Sequence, residues 1–147
     1  MRHLSNKEIK SLIELIPKSY SLDKRDEIVE KDRIIYRNSE KLFIILEKNK
    51  KEITKVIPHL KNLVEEGFKS VYVDHGAIPF IIKGADLMRP GIQKIEDFSK
   101  DEIILIKDEE HKKTIAVGRA LFSSEEMTEQ KKGISVKVLH FLGDEFY

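Results

Sequence analysis

Between positions 83 and 94 the chain reads Lys-Gly-Ala-Asp-Leu-Met-Arg-Pro-Gly-Ile-Gln-Lys. Glycine permits backbone geometries and close approaches closed to other residues. A loop held by Gly84, Ala85, Pro90 and Gly91 could therefore present backbone N–H and C=O groups to phosphates and bases. Lys83 and Arg89 flank it and Lys94 follows, so positive charge lies within reach. The chemistry would be docking of a nucleic acid rather than bond making. Asp86 is the discordant member, because a phosphate contact there would be unfavourable. A plainer reading stays open for Gly84 and Gly91, which would then serve only the turn and the packing beneath it.

Other chemistries find little support. There is no cysteine, which excludes disulfides, thiolate nucleophiles and cysteine metal sites. His3, His59, His75, His111 and His140 show no ligand spacing, so no metal and no cofactor is expected. G-x-S-x-G, Walker A and G-x-G-x-x-G patterns are missing, and no acid, base or nucleophile stands out from the background. The expectation is a protein that is not an enzyme, with no catalytic residues. Arg119 reads as a strand-surface ion pair more readily than as a ligand. His75 reads as a helix-start residue, and Asp108-Glu-Glu-His and Lys48-Asn-Lys-Lys as solvated turns.

Charged residues make up 36 % of the chain and hydrophobic ones 40 %. That apolar share suffices for a core, so the composition is that of a folded protein. The first 66 residues carry a net +3 and the remainder −2. Any nucleic-acid site must then be a local patch that selects shape or bases more than phosphate density. No apolar run nears the roughly 18–20 residues that span a bilayer, and the start lacks a signal-peptide core. No membrane association is expected, and the compartment is expected to be the cytoplasm.

The elements that must position the loop follow from periodicity. Ile9, Leu12, Ile13 and Ile16 form a helical stripe, with Ser5 and Glu8 as a capping box and Pro17 as a stop. Asp32–Asn38 and Lys41–Leu46 predict a hairpin turning at Asn38-Ser-Glu. The spacing of Leu60, Leu63 and Val64 predicts a helix from Pro58 to Glu66 with Gly67 after its end. Lys69–Asp74 predicts a strand, and Asp74 then caps a helix through Ile82 that Gly84 ends. Further strands are expected at Ile103–Lys107, Thr114–Phe122 and Gly133–Leu142, with Ile134, Val136 and Val138 of the last alternating against Ser135, Lys137 and Leu139. A short helix capped by Ser123 and Glu126 precedes it. Many short strands with few helices suggest an α+β chain containing a small barrel.

The run from Val71 to Ile92 resembles the opening of a PUA domain. The likeness lies in its order of strand, helix, Gly84-Ala85 and Pro90-Gly91-Ile92. Ala116-Val-Gly-Arg-Ala and the closing Gly133-Ile-Ser-Val-Lys-Val-Leu-His-Phe-Leu-Gly-Asp are similar to PUA strands. The Val73–Ile78 opening and the Val-Leu-His-Phe-Leu ending most resemble the malignant-T-cell-amplified-sequence family and its archaeal relatives. The resemblance implies a pre-PUA α+β domain over residues 1–67 and a PUA pseudo-β-barrel over 68–147. It implies RNA binding without catalysis, in translation, through small-subunit rRNA or tRNA, with the small ribosomal subunit or a translation factor as partner. The RNA-binding residues it points to are Lys83, Gly84, Ala85, Arg89, Pro90, Gly91 and Lys94, with Lys137 and His140 more weakly on the closing strand, where His140 reads more readily as a structural histidine than as a ligand. Two other roles stay open: a protein-interaction adaptor, and an accessory RNA-binding factor for a tRNA-modifying enzyme.

Overall fold

The computed structural model describes residues 1–147, which divide into two units, Met1–Gly67 and Phe68–Tyr147. In the first, β1 (Arg2–His3) precedes α1 (Asn6–Leu15). Ser5 and Glu8 close the expected capping box, satisfying N–H groups that a helix start leaves bare. There follow β2 (Ile28–Lys31), β3 (Ile34–Arg37), β4 (Glu40–Asn49) and β5 (Glu52–Pro58), paired antiparallel in chain order. Asn38 and Ser39 both have positive φ, 51° and 70°, the two-residue turn geometry that matches strand twist. Asp32 and Arg33 make a second such turn, at 51° and 67°, where the sequence suggested strand. Leu12, Ile35, Phe43 and Ile57 are fully buried, and the Tyr20 and Phe43 rings meet at 4.6 Å.

The helix expected from Pro58 to Glu66 does not form. Pro58 ends β5 opposite Phe43, and only one 3-10 turn, Leu60–Asn62, follows. The N–H of Lys61 donates to Nδ1 of buried His59, Asn62 donates to the Lys41 carbonyl at 2.8 Å, and the Val64 N–H donates to the Tyr20 hydroxyl at 3.2 Å. The bonds to Lys41 and Tyr20, both distant in sequence, draw the segment out along the sheet. They outcompete a helix too short to be stable without them.

A charge network braces this unit. Arg2 bridges Glu8 and Glu30, each at 2.8 Å, and Lys48 adds a second cation to Glu30. Burial by itself would raise the Glu30 pKa, but the hydrogen bonds from Lys48 and Arg2 outweigh it and hold the carboxyl below its ordinary 4.5. Glu8 is likewise lowered: burial opposes, while the Ser5 N–H and Arg2 prevail. Both carboxyls bind fewer protons folded than unfolded. Their contribution is therefore present above pH 4.5 and is lost as pH falls through the folded values. The urea midpoint should be lower at pH 3 than at pH 6, and Arg2→Gln should narrow the gap. A gap of the same size in Arg2→Gln would show that this network is not its source.

In the second unit the elements are β6 (Lys69–Val73), α2 (Ile78–Ile81), β7 (Leu87–Met88), β8 (Ile92–Ile95), β9 (Ile103–Asp108), β10 (Thr114–Ala120), α3 (Ser124–Glu129) and β11 (Ile134–Phe141). The sheet runs β7-β11-β10-β9-β6-β8, with β6 and β9 parallel and the other pairs antiparallel. β7 and β8 are the two sheet edges, yet only Arg89–Gly91 joins them. That link cannot reach further than roughly 14 Å. The sheet must therefore curl until its edges nearly meet, which makes a pseudo-barrel with this turn as its seam. Val71, Val73, Ile104, Ile106 and Val136 fill it from the strands. Ile81 comes from α2, and Met127 closes it from α3.

β11 departs from the alternation expected of it. Ser135 and Val136 are both buried, whereas Ile134 is exposed. The register shifts between Ile134 and Val136 where β11 meets β7, and the Ser135 hydroxyl donates to Gln130 at 2.6 Å. Asp108 is also buried rather than solvated. It accepts from the Glu110 N–H at 3.0 Å and faces the His111 ring at 2.8 Å.

Candidate nucleic-acid interface

The site is built outward from the end of β6. The Asp74 side chain accepts from the Ala77 N–H at 3.0 Å and starts a 3-10 turn, His75–Ala77, that runs on into α2. Pro79 lies in the first turn of α2, where its missing N–H does no harm. The Ala85 N–H then donates to the Phe80 carbonyl and the Gly84 N–H to that of Ile81, each at 3.0 Å. Gly84 has φ +95° and rests on the Phe141 ring. Only glycine takes that backbone without strain, so Gly84 has a structural duty whatever else it does.

Asp86, discordant as a phosphate contact, acts as a latch. Its Oδ1 accepts from the Val138 N–H at 3.0 Å and its Oδ2 lies 3.6 Å from Lys137 Nζ. It thereby ties the loop to β11. Arg89 fixes the seam: Nε donates to the Met127 carbonyl at 2.7 Å and Nη1 to that of Ile92 at 3.1 Å. The Arg89 N–H donates to the Gly133 carbonyl at 2.8 Å, and the Gly91 carbonyl accepts from the Asp74 N–H at 3.1 Å.

Between α2 and the seam lies an open groove of about 600 Å³. Ala85, Pro90 and Gly91 line it, as expected of a loop site, together with Phe80, Met88 and Ile134. Phe80 is 67 % exposed, Met88 48 % and Ile134 41 %. Asp74 and Asp86 are the charged residues of the lining, and it contains no lysine, arginine or histidine. Lys83 follows on the turn after α2, and Lys137 stands beside Asp86. The structure thus gathers an apolar surface with Lys137 at its margin and Lys83 on the adjoining turn, rather than a cationic cradle.

Three of the residues expected to bind RNA stand elsewhere. Arg89 is half-buried and its guanidinium donates to carbonyls, so it clamps the barrel. Lys94 does not line the groove. It sits opposite Tyr72 in the β6–β8 pair, with Nζ 5.1 Å from that ring's centre, alongside Lys112 at 5.1 Å and Lys107 at 5.8 Å. His140 is fully buried, with Nδ1 2.8 Å from Asp144, which removes its side chain from any contact surface. Arg119 pairs with Asp101 at 2.7 Å, the plainer of its two readings.

Phe80, Met88, Ile134 and Asp74 are among the lining residues that sequence reasoning did not assign to the site. Phe80 falls in the expected helix and Ile134 in the expected closing strand. The available signal was the run Ile78-Pro-Phe-Ile-Ile, too apolar for so short a helix to bury on one face.

Comparison with known proteins bears on this geometry. Across most of its length the chain superposes on hypothetical protein PH0734.1 from Pyrococcus horikoshii, with a TM-score of 0.76, 28 % identity, and coverage of 99 % of this chain and 96 % of the other. It is 45 % identical over 100 residues to uncharacterized protein MJ1432 of Methanocaldococcus jannaschii, covering 66 % of this chain and 62 % of that one. It is 33 % identical over 99 residues to translation machinery-associated protein 20 of Schizosaccharomyces pombe, covering 63 % and 55 %. Over 76 residues it is 36 % identical to the malignant T-cell-amplified sequence 1 homolog of Drosophila melanogaster, covering 49 % and 42 %. The matched stretches thus span under two thirds of each of these three relatives. Residues 69–142, from the first strand of the curled sheet to just past its last, match the PUA domain model, and with that match over half its length the chain belongs to the PUA domain family.

Proposed function

We propose that this chain is a non-catalytic, cytoplasmic RNA-binding protein that acts in translation, engaging a single-stranded segment of small-subunit rRNA or tRNA. The observation that carries the reading is the groove: an exposed aromatic ring on an apolar floor beside a glycine loop, with Lys83 and Lys137 at the margin. Unpaired bases stack on aromatic rings while the backbone follows positive charge. The name of the fission-yeast relative, a translation machinery-associated protein, supports the setting. No helix is long and apolar enough to cross a membrane.

With few cations involved, affinity should fall only gently with salt. Lys83→Glu with Lys137→Glu should weaken binding of a short single-stranded RNA about tenfold and flatten the salt slope by about 1.4, roughly 0.7 for each lost phosphate contact. Fluorescence anisotropy across a salt series reads both. Unchanged affinity would remove these lysines from the interface. In cells, crosslinking and sequencing of attached RNA tests the setting. Enrichment of one small-subunit rRNA site supports it, whereas enrichment of tRNA supports an accessory role beside a tRNA-modifying enzyme.

A protein-adaptor reading is favoured by one observation. Phe80, Ile82, Met88 and Ile134 are all exposed apolar residues on this unit, and contiguous apolar surface also marks protein docking sites. Crosslinked protein without enriched RNA, on the native chain, would put that reading first.

A further inference from the structure

We propose that the groove accepts one unpaired base that carries an exocyclic amino group, and that Asp74 reads that amine and discriminates against uracil. The inference rests on the RNA-binding reading above and names the chemistry of its occupant.

Charge decides first what enters. The lining holds two carboxylates and no cation. A phosphate inside would meet the Asp74 carboxylate, which no cation offsets, so the backbone stays at the margin with Lys83 and Lys137. A flat, uncharged, apolar-faced group fits the interior, and a nucleobase is that group. Phe80 supplies a stacking face, but stacking tolerates every base and selects none.

Selection then falls on the polar atoms that remain. Both oxygens of Asp86 are engaged, Oδ1 by the Val138 N–H and Oδ2 by Lys137. Asp74 Oδ1 accepts from the Ala77 N–H. Its Oδ2 takes no hydrogen bond from the protein, and the residue is half-buried in the groove wall. An ionised carboxylate is acceptor-only, so this solvent-facing oxygen favours a group that offers an N–H donor over one that offers a carbonyl. Adenine, cytosine and guanine each carry an exocyclic amine. Uracil offers one ring N–H between two carbonyl oxygens, which a carboxylate repels. A carboxylate accepting from a base amine is an established mode of base reading.

The test is fluorescence anisotropy of the full chain with short oligo(A), oligo(C) and oligo(U) at low salt. Oligo(A) and oligo(C) are expected to bind about tenfold more tightly than oligo(U). Asp74→Asn keeps a side-chain oxygen for the cap and adds an amide donor for uracil's carbonyls, so it should bring the three affinities close together. Equal binding of all three by the native chain would overturn the proposal, as would a preference unchanged in Asp74→Asn. Failure of the RNA reading itself looks different. In that case none of the three binds, or Phe80→Ala binds all three as tightly as the native chain, and the proposal falls with it.

Discussion

Gly118→Ala is expected to destabilise the second unit by about 3 kcal/mol, the upper end for overpacking a well-filled core. Gly118 is buried in β10 opposite Val138. A methyl group there would lie 2.5 Å from Val136 Cγ1 and 2.7 Å from the Lys137 carbonyl oxygen. Val136 is fully buried in the core, so it has nowhere to retreat, and a backbone oxygen yields even less than a side chain. The register already shifts between Val117 and Gly118, which places the kink where β11 presses closest. For a unit of this size the loss corresponds to a fall of roughly 15 °C in Tm, read by thermal unfolding followed by circular dichroism. A midpoint within a few degrees of the native chain would mean that the strands can separate at this point. The close approach would then not be a constraint on the barrel.

Phe80→Ala is expected to weaken single-stranded RNA binding by roughly ten- to a hundredfold, since stacking one base on an aromatic ring contributes about 1–3 kcal/mol. The same change should leave stability nearly untouched, because two thirds of the side chain is in solvent and little buried area is lost. That dissociation of effects is informative. A core aromatic would cost about 3–5 kcal/mol on truncation and would weaken binding only by unfolding the chain. Anisotropy with one RNA, paired with a urea titration of the same protein, separates the cases. Unaltered RNA affinity with unaltered stability would mean that the ring faces some other ligand, and the adaptor reading would gain by it.

What was legible in the chain before folding was what hydrogen bonds over a few residues decide. Ser5 with Glu8 and Ser123 with Glu126 close capping boxes, and Asn38-Ser39 takes the turn that its short polar residues favour. The strand–helix–loop order from Lys69 to Gly91 and the membership in the PUA family were legible for a related reason. They rest on glycine and proline at positions where backbone geometry leaves little choice. The helix expected over Pro58–Glu66 failed because its partners, Lys41, Phe43 and Tyr20, are remote in sequence. Local periodicity cannot weigh a bond to a residue it does not see.

The site divides along the same line. Residue type and spacing marked the loop, and Ala85, Pro90 and Gly91 do line the groove. Only the closing of the barrel decided which charges remain outside. It buried His140 against Asp144 and turned Arg89 onto the Met127 and Ile92 carbonyls. It moved Lys94 over Tyr72 and left Phe80 in solvent. A side chain's type states what it could bind. Whether it is free to bind depends on which distant backbone groups fall within hydrogen-bond reach once the sheet curls, and that is settled by tertiary structure alone.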